Sequence, residues 1–495
     1  MSELALPESG RPGRPGRASR PAVTAFVIAA ALVATAIIIG HQPAAEAIVG
    51  HATPLRLALG LLFGVLIIRF SALGMPVLVA FTFLNLSEAL VRYHDFPSLL
   101  KLLVIGLAFA AWLKRDTVKV SDVLRQPLTI ALGAFMVLSF ASTAWSADRH
   151  IADNRVDDLL KAFAIYLLAV LLMRNRQRLM HGLIALVASA TFAGLLVAYQ
   201  LATGNLDNQL GGLARIKQAH IYGDVFQPRI AGPIGDPNFF AQILLIALPV
   251  GVLIAVGDRA LNVRERVAWL AASAVIFVTV LVTYSRGAMI ALAVMTLMAL
   301  RALHVHWRAT AAMIAVLRVV VLLLPSGVTE RFVTLEEILP GSEEIHRDSS
   351  FEERKLLMSV AFVMFAANPV FGVGAGNYTA RYDDYVAAVS SEARQYAEPS
   401  DLHYPHNLAL EIASEAGLLG LLLMGAAFVI AWRSLRRTQR ALAERDPRLA
   451  LAANALRIAL AGFLVAGLFL HLATPRHLLL LFAFVAALER EAATA

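Results

Sequence analysis

Apolar runs of about twenty residues, broken by short polar stretches, recur from one end of the chain to the other. Each is near the length a helix needs to cross a bilayer, and none shows the period-two alternation of an outer-membrane barrel. The runs predict about fourteen spans, near residues 22–40, 55–70, 74–90, 97–113, 128–145, 158–173, 181–200, 237–256, 267–284, 287–304, 309–325, 406–432, 453–472 and 476–489. The fold class is therefore all-α: a polytopic helical bundle in a membrane, with some twelve to fourteen transmembrane helices, roughly one per run. Two polar stretches are too long for turns, Leu201 to about Gly235 and about Pro325 to Pro405. Connections of that length are usually functional or disordered. The second contains an amphipathic pattern near Phe351–Ala367, which predicts a surface helix in a helical periplasmic loop.

Composition agrees with this pattern. The chain of 495 residues is 59% hydrophobic and 16% charged, with a mean hydropathy of +0.69. A net charge of +8 raises the question of a nucleic-acid partner. The basic residues, however, fall in alternate short connections, at Lys114–Arg125, Arg174–Arg178, Arg259–Arg266 and Arg433–Arg448, so no nucleic-acid partner is implied. That arrangement orients both long loops to the opposite, outer face and puts the termini inside. The absence of cysteine excludes disulfides, thiol chemistry and cysteine metal sites. The organisation expected is a disordered basic N-terminus over 1–21, an N-terminal transmembrane bundle over 22–200 and a central membrane segment with the first outer loop over 201–325. The large outer loop over 326–405 and C-terminal membrane helices over 406–495 follow. Ala45-Glu46-Ala47 resembles a signal cleavage site, but the preceding run is long for a signal peptide, and an uncleaved first span is expected.

Candidate chemistry gathers at the outer face. Arg229 opens the segment RIAGPIGDPNFFA, in which Asp236 and Pro237 suit a helix start and Asn238 follows. Arg229 is either solvated there or holds an anion, since a guanidinium fork matches phosphate oxygens. Arg286, in the turn TYSRGA, either binds substrate or snorkels to lipid headgroups. Arg354 opens the surface helix, with Glu352 and Glu353 as local ion-pair candidates, and NPVFGVGAGNY then predicts a tight glycine bend. This bend is not a dinucleotide fingerprint, because no strand precedes it and no helix is expected to open at it. In YPHNLALEIASEAGLLG, from Tyr404 to Gly420, Pro405 sets a helix entry and His406 and Asn407 follow in its first turn. Glu411 and Glu415 lie one turn apart on a shared face, and Gly417 and Gly420 allow close helix packing. His406 is a helix cap or a base. His403 and His406 have a metal-like spacing without a third ligand nearby, and His304 and His306 fall on the inner face, so neither a metal nor another cofactor is implied. Three guanidiniums and an imidazole on one face fit an anionic, lipid-linked substrate with a diphosphate headgroup.

Taken in order, R-x-x-G with D-P-N-x-x-A (Arg229 to Ala241), S-R-G-A (Ser285 to Ala288), the Arg354 helix leading to NPVFGVGAGNY, and H-N-x-x-L with E-x-G-x-x-G (His406 to Gly420) resemble the motifs of the bacterial O-antigen ligase and polymerase superfamily. The likeness covers roughly residues 200–430; the earlier part agrees only in hydropathy. It implies a metal-independent, inverting glycosyltransferase of the bacterial inner membrane. Such an enzyme moves a glycan from undecaprenyl diphosphate to an acceptor hydroxyl at the periplasmic face. The acceptor is lipid A–core for a ligase and the growing glycan for a polymerase of O-antigen or exopolysaccharide. A protein hydroxyl is the acceptor in a further variant. Carried onto this chain, Arg229 and Arg354 hold the diphosphate, with Arg286, Asn238 and Asn407 beside them. His406 deprotonates or orients the acceptor, and Glu415 is the family's helix carboxylate. A carboxylate at that depth is costly unless paired, so a partner such as an arginine is expected. A transporter of lipid-linked sugars is the rival from another class. It calls for repeat symmetry and polar midplane helices, whereas the polar residues here sit at one surface.

Overall fold

The computed structural model describes residues 73–96, 98–113, 119–222, 225–303, 349–389, 403–473 and 475–494. The expected spans near 22–40, 55–70 and 309–325 lie outside them. Among the described residues the chain is almost wholly helical, an all-α multi-pass membrane protein, and every span expected there falls on a helix. In chain order these are α1 (Gly74–Phe83), α2 (Leu86–His94), α3 (Leu99–Leu113), α4 (Val120–Leu124), α5 (Pro127–Ala141), α6 (Arg149–Leu172) and α7 (Arg176–Thr203). After a hairpin of β1 (Arg215–Tyr222) and β2 (Val225–Gly232) come α8 (Pro237–Gly257), α9 (Val263–Val282), α10 (Arg286–Ala302), α11 (Ser349–Ala367) and α12 (Tyr378–Val389). The chain closes with α13 (Leu408–Leu442), α14 (Pro447–Gly467) and α15 (Pro475–Thr494).

Six of these helices are long and apolar enough to cross a membrane, and a seventh span exists if α1 and α2, bent by 60° at their junction, count as one. The shortfall against the expected number has physical causes inside the described residues. The run 74–90 breaks at Asn85, whose backbone is left-handed (φ 51°). The run 158–173 is the apolar half of a helix that begins nine residues earlier with Arg149, His150 and Asp153.

Apolar helix α8 is nearly all buried and packs between α9 and α14, so it forms the centre of the bundle. Large apolar side chains such as Val137, Phe140 and Leu422 remain more than half exposed on the flanking spans. Exposed apolar surface of that kind is what contact with lipid tails requires. At one end of the bundle Arg176 pairs with Asp446, Arg448 pairs with Asp258, and the Arg176 backbone N–H donates to Glu491. The connections at Arg174–Arg178, Arg259–Arg266 and Arg433–Arg448 thus meet there, and the candidate site lies at the other end.

The described parts of both long polar stretches are structured. The first holds the β1–β2 hairpin, the one departure from all-helical secondary structure among the described residues. It is antiparallel, with Lys217 opposite Arg229. In the second, α11 covers the amphipathic segment expected over Phe351–Ala367 and packs Leu357, Val360, Ala361 and Met364 against Tyr378, Tyr382 and Val386 of α12. The expected glycine bend lies between them, with Gly372, Gly374 and Gly376 all at positive φ. Contrary to expectation a helix does open just after it, since α12 begins at Tyr378, but a helix and not a strand precedes it.

Candidate active site

Local sequence fixes the first wall of the site. Asp236 caps α8 by accepting the N–H groups of Asn238 (2.8 Å) and Phe239 (3.2 Å), and Pro237 occupies the first helical position. Asp236 also pairs with Lys217 on the hairpin, at 3.5 Å. Arg229 reaches across to the C-terminal end of α9, donating to the carbonyls of Thr283 (3.0 and 3.2 Å) and Tyr284 (3.3 Å) and to Asn238 Oδ1 (3.1 Å). Those carbonyls are the unpaired end of a helix, a natural partner for a cation. Burial pushes the Arg229 guanidinium down to about 10. The positive charges of Arg354 and Arg286 add to that, against the opposing pull of Asp236. Arg229, Arg286 and Arg354, from β2, α10 and α11, therefore lie in one field of charge.

His406 faces the same field. Its backbone is left-handed (φ 45°), an uncommon conformation for a residue with a side chain. The helix cap is its neighbour: Asn407 accepts from the Leu410 N–H at 3.0 Å and donates to the Leu468 carbonyl at 3.0 Å. The alternative reading of His406 as the cap is thereby overturned, and both ends of the Asn407 amide are engaged in the fold. His406 Nδ1 is buried and makes no hydrogen bond. Burial pushes the His406 imidazole down to about 4, with Arg354 and Lys217 adding to the effect and Asp236 opposing it.

A second imidazole, absent from the sequence reading, completes this wall. His471 lies on the connection after α14, stacked flat on Tyr404 (4.2 Å between ring centroids, 4° between planes). It also meets His406 edge-on at 5.5 Å and Phe239 at 4.9 Å. Its Nδ1 is likewise buried without a hydrogen-bond partner, and burial holds the ring at about 3. The apolar run 453–472 hides this histidine at the end of an expected span, whereas the helix itself stops at Gly467. His403 turns away to pack on Tyr382 at 4.2 Å. Among the described residues no cluster of three acidic, histidine or cysteine side chains forms.

Beneath the histidines is a buried polar layer. Arg155, from α6, pairs with Glu411 at 2.7 Å and donates to the Leu472 carbonyl at 2.8 Å, while Glu411 accepts the Leu472 N–H at 2.6 Å. Both polar groups of the residue after His471 are thus clamped by one ion pair. Arg155 is the arginine expected near Glu415: it pairs directly with Glu411, and its charge also acts on Glu415. Glu415 accepts the Gly376 N–H at 2.8 Å and so ties the glycine bend to α13.

The bend docks into a break in the helix itself. Gly417 lies at φ 64°, ψ −161°, a conformation essentially confined to glycine. The backbone groups freed there are satisfied by the bend: Val373 and Gly374 donate to the carbonyls of Ser414 (2.8 Å) and Glu415 (2.9 Å), while Leu418 and Leu419 donate to those of Pro369 (2.8 Å) and Val370 (3.3 Å). Gly417 therefore breaks the span, whereas the sequence pattern expects it to serve close packing. Asn377 extends the docking to the α5–α6 connection, accepting the Asp148 N–H at 2.7 Å.

The two neutral imidazoles have a consequence for stability. An unfolded histidine titrates near ~6.5, but His406 and His471 stay neutral down to about 4 and about 3 when folded. Below the unfolded value the unfolded chain binds protons that the folded one refuses, so this stability is present above that pH and is lost as pH falls toward the folded values. The melting temperature of the detergent-purified protein should drop between pH 7 and pH 5, and His471→Phe should flatten the drop. An equal pH dependence in the two proteins would show that His471 takes up its proton in the fold as readily as in the unfolded chain.

Residues 271–425 match the family described as O-antigen ligase. That stretch includes Arg286, Arg354, His406, Glu415 and Gly417, while Arg229 and His471 lie on either side of it. No curated protein matches the chain.

Proposed function

We propose that this chain, whose residues 271–425 match the family described as O-antigen ligase, transfers a glycan from undecaprenyl diphosphate to an acceptor hydroxyl at the outer face of the bacterial inner membrane. The supporting observation is that the charge of Arg354 acts on both Arg229 and His406, with Arg286 acting on Arg229. Residues of four separate elements thus share one field of charge at the end of the bundle opposite the Arg176–Asp446 and Arg448–Asp258 pairs.

The chemistry follows from charge. The acceptor oxygen attacks the anomeric carbon from the side opposite the diphosphate, a new C–O bond forms, and the C–O bond to the leaving diphosphate breaks with inversion. Negative charge grows on that leaving group, and guanidiniums fixed in place stabilise it without reorganising. The acceptor proton goes to His406, which is neutral at neutral pH and so in the right form to receive it. A ring held at about 4 is a weak base in the substrate-free protein. The bound diphosphate offsets the charges of Arg354 and Lys217, which lifts that value in the complex. Asn238 orients Arg229, and Glu415 acts at one remove by holding the glycine bend.

Ligation to lipid A–core is the reading preferred here. A repeat-unit polymerase uses the same donor chemistry and differs only in the acceptor. The surface glycans of a deletion strain separate the two: loss of all capped lipopolysaccharide means ligase, and core bearing a single repeat means polymerase. For the donor site, Arg229→Ala and Arg354→Ala should each weaken donor binding by roughly ten- to a hundredfold, the scale of one charged hydrogen bond. Arg→Lys should restore only part, because lysine keeps the charge and loses the fork. Unchanged donor affinity in both alanine variants would remove these arginines from the diphosphate site.

A further inference from the structure

Beyond Lys217, on the same hairpin, lies a second arginine cluster that the proposed reaction does not use. Arg215 precedes Lys217 by two positions on β1, so it is displaced by about 7 Å along the strand. Its Nη1 stands 3.5 Å from Glu88 Oε1, and its Nη2 donates to the Pro233 carbonyl. Arg476, from the first turn of α15, donates to Asn85 Oδ1 at 2.7 Å and stands 3.8 Å from Glu88 Oε2. Glu88 already accepts from the Asn85 amide, which also donates to the Pro233 carbonyl at 3.3 Å.

The balance of this cluster is uneven. Two guanidiniums share the Glu88 carboxylate, with the charge of Asp158 also acting on Arg476, and both ion-pair distances to Glu88 exceed the ~2.7–2.9 Å of a charge-assisted hydrogen bond. The arginine side chains are only 12% and 24% exposed, whereas Glu88 is 42% exposed. The Nε atoms of both arginines are buried and have no hydrogen-bond partner. Buried donors are nearly always satisfied, and guanidinium forks are suited to oxyanions that accept several N–H groups at once. The cluster also sits where α1 and α2 bend, beside the Pro233–Asp236 segment that leads into the first site.

We propose that Arg215 and Arg476 form a second anion subsite, which holds a phosphate or carboxylate group carried by the acceptor. The assignment to the acceptor rests on the reading of Arg229 and Arg354 as the diphosphate site; the anion binding itself does not. Lys217 lies opposite Arg229 and Arg215 stands two positions farther along the same strand, so the two subsites are neighbours on one hairpin.

The test is equilibrium binding of radiolabelled inorganic pyrophosphate to the full-length protein in detergent. Two equivalents should bind. Arg215→Gln with Arg476→Gln should abolish one and leave the other within about threefold, and Arg229→Gln with Arg354→Gln should do the converse. Glu88→Gln removes the competing carboxylate while keeping both guanidiniums, and should tighten the second equivalent by roughly three- to tenfold. If Arg215→Gln with Arg476→Gln, and also Glu88→Gln, leave pyrophosphate binding unchanged, the cluster only locks the helix bend and the proposal falls. If the second equivalent disappears in nanodiscs containing phosphatidylglycerol, the subsite takes a lipid headgroup and the acceptor assignment falls. Loss of the Arg229-dependent equivalent alone would count against the diphosphate site and leave this one standing.

Discussion

His406→Asn should yield a folded protein that binds donor normally and turns over at least ~10²-fold more slowly, the usual scale for one general base. The structure sharpens this expectation because Asn407, not His406, caps the following helix. A cap variant would lose ~0.5–2 kcal/mol of stability, and no such loss applies at His406. Asparagine also tolerates the left-handed backbone found there, so the substitution relieves strain more than it adds any. Turnover and melting temperature measured on the same preparation separate the two roles. Near-normal turnover in a stable His406→Asn protein would remove the base, and a large stability loss would make the residue structural.

Gly417→Ala is the second large effect, and it acts on the fold of the site. The residue occupies a conformation that costs other residues ~1–3 kcal/mol, and a Cβ placed there would lie 2.3 Å from the Val370 carbonyl oxygen. Overpacking typically adds ~1–3 kcal/mol, for a total of roughly 2–6 kcal/mol. The four backbone hydrogen bonds between the helix break and the glycine bend should fail together. The bend connects α11, which carries Arg354, to α12, so activity should fall with stability. Gly425→Ala is the control on the same helix: nothing lies within 4 Å of its added Cβ, and alanine there should be neutral or slightly stabilising. Comparable melting temperatures for Gly417→Ala and Gly425→Ala would show that the break is not required.

Much of the site is legible in the sequence because polar residues interrupting apolar runs are conspicuous. Arg229, Arg286, Arg354 and His406 are visible this way, and Asp236 is the cap its position predicts. His471 is not, because its apolar neighbours continue the run of the preceding span and hydropathy does not register where a helix stops. Arg155 is hidden for the opposite reason: it lies in the charged first half of α6, far in sequence from Glu411, and only tertiary packing pairs them. The break at Gly417 is masked because the residues on both sides are good helix formers, and the reason to break is supplied by the glycine bend some forty residues earlier. The hairpin is obscured by Pro228, which argues against a strand, and by the charged residues of β1.

Release of polyprenyl diphosphate by the purified protein tests the proposed reaction most directly. Incubated with a glycan linked to undecaprenyl diphosphate and with an acceptor, the wild-type protein should release undecaprenyl diphosphate together with a glycosidic product of inverted configuration. His406→Asn should release at least ~10²-fold less over the same time. Intact donor after prolonged incubation of a donor-binding wild-type protein, or equal release by wild type and His406→Asn, would contradict the central claim.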